Sequence, residues 1–386
     1  MTRVGVLTSS FPSRPGDPAG SFVAEHARYL RGAGCDVEVV AARPGSPDAV
    51  PGIRVSRLTA SGARLFAGAG APELLTGARH SAARHWRDAT GASLAMLAAA
   101  LRRRRRWDRL IAHWLVPAGI AAALAAGGRP VRAIAHSGDV HLLRRLGLTS
   151  AAAAVFASAG ARLSFVSESL RSSFLRDISS PWLRRRTRAA STVVPMGVDV
   201  NRLRAARREA QPARERRYVA YLGRLVEVKG PDIAAGAAGA WRAPVPLIMA
   251  GAGPMAGRLR AQREREAPGR VTLCGELRGW ERDRFVAGAA ALVIPSRVLP
   301  DGRSEGLPVA ALEAMAAGVP VIATDVGGLA DLPTGAVTRV KPDDPSALAR
   351  AVDRVWQRPI ERQRQIAAAA TFVERLDWRL VGPRLW

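Results

Sequence analysis

Short apolar runs alternate along this chain with longer segments that have one apolar and one polar face. The first run predicts a strand over Arg3–Thr8, the segment after it a helix over Ser21–Ala33, and the next run a strand over Asp36–Ala42. We expect Ser21 to cap this helix and Gly34 to end it. The order strand, helix, strand is typical of a βαβ unit, in which the two strands lie parallel.

The alternation continues to the end of the chain and predicts the class of fold. In the first half, the further predicted strands are Arg109–His113, Val131–Ala135 and Leu163–Ser167, and the predicted helices are Pro72–Arg105, Pro117–Ala126, Ala151–Gly160 and Glu168–Arg176. After an arginine-rich segment at 202–217, predicted strands follow at Tyr218–Leu222, Pro246–Met249, Val271–Cys274, Ala291–Pro295 and Val319–Thr324, with helices between them. The sequence therefore predicts an α/β protein with two Rossmann-like domains, 1–204 and 205–386, each built on a doubly wound parallel sheet. With 386 residues, 48% of them hydrophobic, each domain can bury a core of its own.

The chain is strongly basic, with a formal net charge of +26. Only Lys229 and Lys341 are lysine, so almost all of the positive charge comes from arginine, which together with the abundant alanine and glycine looks like a coding bias. The charge favours anionic partners such as nucleotide diphosphates or acidic lipid headgroups. The arginine runs at 102–106, 184–186 and 202–217 fit either solvated helix faces and a linker or contact with an anionic membrane surface. Nucleic acid is not expected as a partner, because aromatic residues are only 5% and no recognition motif accompanies the charge.

The sequence also predicts where the protein resides. The first apolar run is too short for a signal peptide, and the longest apolar stretch near a basic run, Ala92–Leu101, is too short to cross a bilayer. We interpret Cys35 and Cys274 as small buried residues in a reducing compartment, since neither has a ligand-spaced neighbour. The expected location is the cytoplasm, with attachment to the inner face of the plasma membrane left open.

The segment at 304–324, SEGLPVAALEAMAAGVPVIAT, carries most of the candidate chemistry. Pro308 suits a first helical turn and Gly318 the position after a helix end, so we predict a helix over Leu307–Ala317. A carboxylate at this helix start, that of Glu305, would repel phosphate and should face neutral hydrogen-bond donors such as sugar hydroxyls. Glu313 lies at most roughly 12 Å further along, which suits a hexose and a ribose with a diphosphate between them. Alternatively, Glu305 only complements the helix dipole and Glu313 is a solvated helix residue.

A pair of cations follows the predicted strand Tyr218–Leu222. Arg224 and Lys229 precede a predicted helix that starts near Pro231, so both fall at the carboxyl end of a strand, where open α/β sheets bind ligands. There they could stabilise a diphosphate leaving group, whose charge grows as the glycosidic bond breaks. The alternative is that they are two more surface cations. For Gly251 and Gly253, in the turn after the next predicted strand, we favour close packing over a role in nucleotide binding.

Two further segments in the first half are candidates. His136 and Asp139, in the string HSGD, follow the strand Val131–Ala135, although a strand-end histidine is often structural. The loop at 9–20 ends at Gly20 and allows close approach of the backbone to a ligand, or simply connects two elements. His26 is interpreted as an ordinary surface or interface residue. No D-x-D segment, nucleophile elbow, zinc pattern or Walker lysine occurs, so we expect no metal cofactor.

The string EGLPVAALEAMAAGVPVIATDVGG, at 305–328, resembles the donor-binding signature of retaining glycosyltransferases, namely the two glutamates separated by seven residues in glycosyltransferase family 4. Further matches occur in order along the chain. The resemblance implies the GT-B fold of the glycosyl transferases group 1, with two Rossmann-like domains that face each other across a cleft. It implies that the C-terminal domain binds a UDP- or GDP-hexose and the N-terminal domain an acceptor hydroxyl of a glycan or a lipid-linked glycan.

The resemblance also implies roles for individual residues. It assigns donor binding to Arg224, Lys229, Glu305, Gly306, Leu307 and Glu313, catalysis to His136 and Glu305, and the acceptor or phosphate loop to Gly20 and Asp139. His136 would lie beside the donor hexose, and the cation pair would clamp the diphosphate in place of a metal. Ser137 departs from the family's usual glycine, and we expect the change to be tolerated. The last 15 or so residues, near Trp378–Trp386, would return to the N-terminal domain.

Two other functions remain open at this point. A nucleotide-sugar 2-epimerase would share the fold but use no acceptor, and a non-catalytic basic anion-binding protein would explain the charge alone. The cation pair and the two glutamates favour transfer.

Overall fold

The computed structural model describes residues 1–59, 82–210 and 218–386, which form two compact units. The N-terminal unit comprises Met1–Gly197 together with Trp378–Trp386, and the C-terminal unit comprises Val198–Asp377. The division thus falls shortly before the predicted junction at residue 205. Of the arginine-rich segment at 202–217, residues 211–217 lie outside the described residues.

The N-terminal unit is built on a seven-stranded parallel sheet. Its strands are β1 (Arg3–Thr8), β2 (Asp36–Ala41), β3 (Arg54–Arg57), β4 (Arg109–His113), β5 (Val131–Ala135), β6 (Arg162–Phe165) and β7 (Ser191–Val193), in the spatial order β3-β2-β1-β4-β5-β6-β7. The reversal of strand order between β1 and β4 is typical of a Rossmann-like sheet. The two edge strands, β3 and β7, were not predicted because each is short and partly exposed and carries no apolar run.

Helices connect these strands. They span Ser21–Gly32, Ala82–Arg103, Ile120–Ala125, Gly138–Arg145, Thr149–Ser158, Glu168–Arg176, Pro181–Ala189 and Trp378–Val381. The prediction that Ser21 caps the first helix is wrong, because the cap is Gly20, in the left-handed conformation with φ 73°. The predicted helix Pro117–Ala126 consists of the end of a π-helical segment, Leu115–Gly119, and an α-helix, Ile120–Ala125. Residues 72–81 of the predicted long helix lie outside the described residues. The helix Gly138–Arg145 begins within the HSGD string and was not predicted.

The core of the N-terminal unit lies against both faces of the sheet. Its largest fully buried side chains are aromatic: Phe11, Trp107, Trp114, Phe156, Phe165 and Phe174. The indole of Trp107 occupies the space that a side chain at Gly5 in β1 would need. Its Nε1–H donates to the carboxylate of Glu38 at 2.9 Å, so the one polar atom of this buried ring is bonded.

The C-terminal unit repeats the architecture with six parallel strands. They are β8 (Val219–Leu222), β9 (Leu247–Ala250), β10 (Val271–Gly275), β11 (Ala291–Ile294), β12 (Val321–Thr324) and β13 (Thr338–Val340), in the order β10-β9-β8-β11-β12-β13. Its helices span Val200–Glu209, Pro231–Ala238, Ala256–Glu266, Gly279–Ala287, Val309–Ala316, Pro345–Gln357 and Pro359–Glu374. The prediction of an α/β fold with two Rossmann-like domains is confirmed.

The helix in the glutamate segment is slightly shorter than predicted. It spans Val309–Ala316, and Pro308 is its N-cap, with an extended ψ of 120°, instead of a residue of its first turn. Gly318 follows the helix end with φ 62°, as its proposed position requires.

No helix in the described part of the chain combines the length and the apolar character needed to cross a bilayer. The arginine run at 184–186 lies on the helix Pro181–Ala189, where the indole of Trp182 is 60% exposed. Contact of these runs with a membrane stays a prediction.

Candidate functional site

The candidate residues of the C-terminal unit lie where its parallel strands end. The strand order reverses between β8 and its neighbour β11, which is the position at which open α/β sheets bind ligands. The loop after β8 carries Arg224 and Lys229, and the loop after β11 leads to Glu305. The sheet topology therefore brings two segments that are far apart in sequence to one end of the sheet.

Glycines hold these loops close to one another. Gly230 has φ 59°, and a side chain there would clash with the carbonyl oxygen of Pro295, just after β11. A side chain at Gly251, after β9, would clash with the carbonyl of Gly223, after β8. Gly253 lies in the same way against the backbone of Leu225, which agrees with the packing role favoured for these glycines. Only glycine fits at these approaches of backbone to backbone.

Lys229 and Glu305 form an ion pair. The Nζ of Lys229 donates to Oε2 of Glu305 at 2.9 Å, and the two side chains are only 19% and 14% exposed. On β8, burial raises the pKa of the Tyr221 phenol well above its usual value, and the negative charge of Glu305 adds to this effect. The Tyr221 hydroxyl donates to the carbonyl of Arg224 at 3.0 Å, so it fixes the backbone of the cationic loop. The sequence predicted ligand contacts for Lys229 and Glu305 separately but did not predict that they contact each other.

The main chain of Glu305 is held by the loop after β12. Gly328 donates its N–H to the carbonyl of Glu305 at 3.2 Å, and a side chain at Gly327, which has φ 53°, would clash with that carbonyl. Gly306 and Leu307 lie between Glu305 and the helix Val309–Ala316. Gly327 and Gly328 therefore support the position of the Glu305 backbone.

Glu313 lies inside the protein and pairs with an arginine. Its side chain is on the helix Val309–Ala316 and only 4% exposed, so the alternative of a solvated helix residue is wrong. The guanidinium of Arg282 donates from Nη1 to Oε1 at 2.7 Å and from Nη2 to Oε2. Arg282 comes from another helix, Gly279–Ala287, and its pairing with Glu313 was not predicted from the sequence. The available signal was the glutamate itself, because a carboxylate within an apolar helix needs a buried cation.

In the N-terminal unit, Gly20 closes the loop after β1. A side chain at Gly20 would come within 2.5 Å of the carbonyl oxygen of Ser10, and its φ of 73° is unfavourable for other residues. Within the same loop Asp17 pairs with Arg43 at 2.7 Å and accepts the N–H of Ala19 at 2.9 Å. The structure thus gives Gly20 a steric role, and its contact with an acceptor or phosphate stays a prediction.

Asp139 fastens two loops together. Its Oδ1 accepts the backbone N–H groups of His136, Ser137 and Val140 at 3.0–3.2 Å, and its Oδ2 accepts that of Leu115, after β4, at 2.6 Å. Burial raises the pKa of this carboxyl group, although the four backbone donors oppose the shift. Asp139 therefore positions the backbone on which His136 lies, while its predicted contact with an acceptor is untested.

His136 belongs to a line of three hydrogen-bonded histidine rings. Its Nε2 lies 3.1 Å from Nδ1 of His113, at the end of β4, and Nε2 of His113 lies 3.0 Å from Nδ1 of His26. The interpretation of His26 as a surface or interface residue is wrong, because it is 1% exposed. One face of the helix Ser21–Gly32 is buried and carries Val23, His26 and Ala27. The helical spacing of these residues in the sequence indicates that His26 is buried.

Ser137, next to His136, has φ 132°. Residues other than glycine rarely adopt this conformation, so Ser137 is accommodated with backbone strain. Near this loop, Trp114 is a second non-glycine residue with positive φ, at 73°.

Two other expectations concern metal and cysteine. Among residues 1–59, 82–210 and 218–386, no group of three or more histidine, cysteine, aspartate or glutamate side chains could hold a metal ion.

Cys35 is buried as predicted, but the prediction for Cys274 is wrong, because it is exposed. The β10 strand to which Cys274 belongs has an irregular register beside β9 and is mostly exposed.

The two Rossmann-like units, with polar side chains at the carboxyl ends of their strands, define a protein with the GT-B fold. The crystal structure of Anabaena Alr3699/HepE in complex with UDP matches 100% of this chain and 98% of that chain with a TM-score of 0.69, at 16% sequence identity. At this identity the likeness shows the fold alone.

Residues 204–372 match the family model described as Glycosyl transferases group 1. The chain is 32% identical over 201 residues to a glycogen synthase of Mycobacterium tuberculosis, with 50% of this chain and 47% of the relative covered. It is 31% identical over 206 residues to a GDP-mannose-dependent monoacylated alpha-(1-6)-phosphatidylinositol monomannoside mannosyltransferase of Corynebacterium glutamicum, with 50% and 54% covered. The chain spans about half the length of the curated relatives it matches.

Proposed function

We propose that this protein is a retaining glycosyltransferase that moves a hexose from a UDP- or GDP-hexose to an acceptor hydroxyl in the synthesis of a polysaccharide or a lipid-linked glycan. The observation that carries the proposal is the ion pair of Lys229 and Glu305, 2.9 Å apart at the ligand-binding end of the C-terminal sheet. It lies inside the segment that matches the family model of the group 1 glycosyl transferases. The relative named as GDP-mannose-dependent and the neighbour solved with UDP support a nucleotide-sugar donor.

Lys229 would stabilise the departing diphosphate. An ammonium group has three N–H donors, and the one bonded to Glu305 leaves two for phosphate oxygens. Negative charge on the diphosphate grows as the bond to the sugar breaks, so a fixed cation stabilises the transition state more than the bound substrate. Arg224, on the same loop, adds a second positive charge. In this proposal the two side chains take the place of a metal ion.

Glu305 would hold the hexose and Glu313 the ribose. Sugar hydroxyls are neutral donors, which a carboxylate accepts without the repulsion that phosphate would meet. Each oxygen of Glu313 accepts one N–H of Arg282 and has a further lone pair for a ribose hydroxyl. Gly306 and Leu307, which follow Glu305 directly, would bring backbone N–H groups to the same ligand.

The transfer itself would retain the anomeric configuration. The bond from the anomeric carbon to the diphosphate oxygen breaks, and a bond to the acceptor oxygen forms on the same face of the sugar. The acceptor proton passes to the departing phosphate oxygen, so no separate base is needed. His136 would hydrogen-bond a sugar hydroxyl during this step, and the loops at Gly20 and Asp139 would contact the acceptor.

The proposal is tested first by donor binding and turnover. Thermal shifts with UDP-, GDP- and ADP-hexoses identify the nucleotide, and release of nucleotide from the stabilising donor is then followed with glycan acceptors, with and without a chelator. We expect turnover to persist with the chelator and NMR of the product to show a retained anomeric configuration. A new sugar nucleotide formed without acceptor would instead indicate an epimerase, and no stabilisation by any donor would refute the proposal.

Two lysine variants give a matched comparison. Lys229→Ala should lower kcat about 100-fold or more, because a charge that acts on the leaving group is lost. Lys341→Ala removes the chain's other lysine, which is exposed after β13, and should leave kcat unchanged. Equal activity of the two variants would show that Lys229 has no part in catalysis.

A further inference from the structure

The three histidines of the N-terminal unit form a continuous line of hydrogen bonds. His26 lies on the helix Ser21–Gly32, His113 at the end of β4 and His136 directly after β5, so the line joins three separate elements. The two bonds measure 3.0 Å and 3.1 Å. His26 and His113 are 1% and 0% exposed, whereas His136 is partly exposed and forms the outer end of the line.

All three rings are neutral near pH 7. Burial lowers the pKa of His26 to about 3, with a further contribution from the positive charge of Arg132. Burial likewise lowers the pKa of His136 to about 3 and that of His113 well below its usual value. A neutral imidazole has one N–H and one lone pair, so each ring in the line donates on one side and accepts on the other. The line therefore has only two possible directions.

The inner end of the line distinguishes between these directions. Nε2 of His26 is buried, and no described residue bonds to it. If Nε2 carried the proton, a buried N–H donor would be left unpaired and the loss of its bond to water would not be compensated. Buried acceptors without a partner are tolerated more often than buried donors. The proton of His26 is therefore on Nδ1, which donates to Nε2 of His113.

The same direction then follows ring by ring. Because Nε2 of His113 accepts, its Nδ1 carries the proton and donates to Nε2 of His136. His136 thus accepts on Nε2, and its own proton must be on Nδ1. We propose that His26 and His113 are positioning residues that hold His136 as the Nδ1–H tautomer, so that it offers a hydrogen-bond donor to a substrate oxygen. This inference rests on the proposed function for the identity of the substrate but not for the tautomer.

Aromatic rings surround the line and keep its geometry. Phe22 and Trp114 each lie 4.8 Å from the ring of His136, and Trp378 stacks on His26 at 5.3 Å with an angle of 14° between the planes. Trp378 belongs to the C-terminal segment, and its Nε1–H donates to Glu25 at 3.0 Å. The C-terminal segment therefore covers the inner end of the line.

The direct test is to measure the tautomers. The full-length protein, labelled with ¹⁵N-histidine, is studied near pH 7 by long-range ¹H–¹⁵N correlation, which shows which nitrogen of each ring is protonated. Single histidine variants assign the signals, and His141→Gln serves as a control that should leave the signals of His26, His113 and His136 unchanged. We expect protonation on Nδ1 in His26, His113 and His136, whereas protonation of His136 on Nε2 would overturn the proposal.

Two substitutions of the central ring test its positioning role. His113→Asn keeps an N–H donor near the position of Nδ1, whereas His113→Leu removes it. With the donor that the wild type turns over, we expect kcat to fall at least tenfold in the leucine variant and to recover largely in the asparagine variant, with His136 held on Nδ1 only in the latter. Equal activity in both variants, or a mixed tautomer in both, would show that His113 does not position His136. A wild type with the expected tautomers that turns over no sugar nucleotide would refute the proposed function and leave the direction of the line intact.

Discussion

Acidification should destabilise the N-terminal unit through its buried histidines. His26 and His113 are essentially inaccessible to water, and burial lowers the pKa of His26 to about 3 and that of His113 well below its usual value. In the unfolded chain the pKa of both side chains is near the ordinary histidine value of 6.5. Below that pH the unfolded chain binds protons that the folded chain does not, so the free energy of unfolding decreases as the pH falls.

The size of the effect follows from the same difference. Each group contributes about 1.4 kcal/mol per pH unit once the pH is below 6.5, so two groups lower the free energy of unfolding by roughly 2.5 kcal/mol between pH 7 and 5.5. The pKa of His136 is lowered in the same direction and adds to this loss. Asp139 acts in the opposite sense, because its pKa is raised in the folded state. The loss is a large fraction of the 5–15 kcal/mol that is usual for a folded domain.

The assay must report on the N-terminal unit alone. Hydrogen exchange with mass spectrometry, carried out across a urea series, measures the unfolding of this unit through peptides from Ser21–Gly32 and Arg109–His113. A variant with both His26→Leu and His113→Leu should lose most of the dependence on pH, while the contribution of Asp139 stays the same in both proteins.

The control is Phe22→Leu, which removes packing against His136 but no titrating group. It should lower the stability about equally at both pH values and keep the wild-type dependence. If the double histidine variant and the wild type lose the same stability between pH 7 and 5.5, these two rings are not the source of the effect.

Three other substitutions test local features, each by its urea midpoint. Gly230→Ala introduces a clash with the carbonyl of Pro295 at a positive φ and should cost about 2 kcal/mol or more; an unchanged midpoint would contradict this geometry. Ser137→Gly relieves a φ of 132° and should raise the stability by about 1 kcal/mol, so a lower midpoint would argue against strain. Arg282→Met leaves the carboxylate of Glu313 buried without its partner and should cost about 3–5 kcal/mol, which the added change Glu313→Leu should largely restore; equal losses in the single and double variants would show that the pair is not the cause.

The fold could be predicted because buried parallel strands are continuous apolar runs. Central strands such as Arg109–His113 and Val131–Ala135 were predicted with the bounds that the structure shows. Edge strands such as Arg54–Arg57 and Thr338–Val340 were missed, since one or both faces are partly exposed and their sequences resemble loops. What a local pattern cannot show is which strands lie at the edge, because that depends on the order of the whole sheet.

The candidate site was predictable only in part, for a related reason. The positions of Lys229 and Glu305 could be predicted, because each follows a strand and both strands end at the same side of a sheet. Their direct contact, and that of Arg282 with Glu313, joins residues 76 and 31 positions apart. For His26 the helical spacing did indicate burial, but its bond to His113, 87 positions away, could not be predicted from a local pattern. Residue type alone favours the surface for these side chains, and only tertiary pairing makes their burial possible.

The same seven-residue spacing that singles out Glu305 and Glu313 leads to two physically different carboxylates. Glu305 bonds to one flexible ammonium group and is more exposed than Glu313, so its pair can rearrange around a ligand more readily than the pair of Glu313. Glu313 is bound on both oxygens by the rigid guanidinium of Arg282 and almost fully buried, so separating them would leave charges without partners. The first arrangement suits a group that exchanges partners during a reaction, and the second suits one that fixes the position of whatever binds to it. We therefore expect the chemistry of transfer to depend on Glu305 and Lys229, and the orientation of the nucleotide to depend on Glu313 and Arg282.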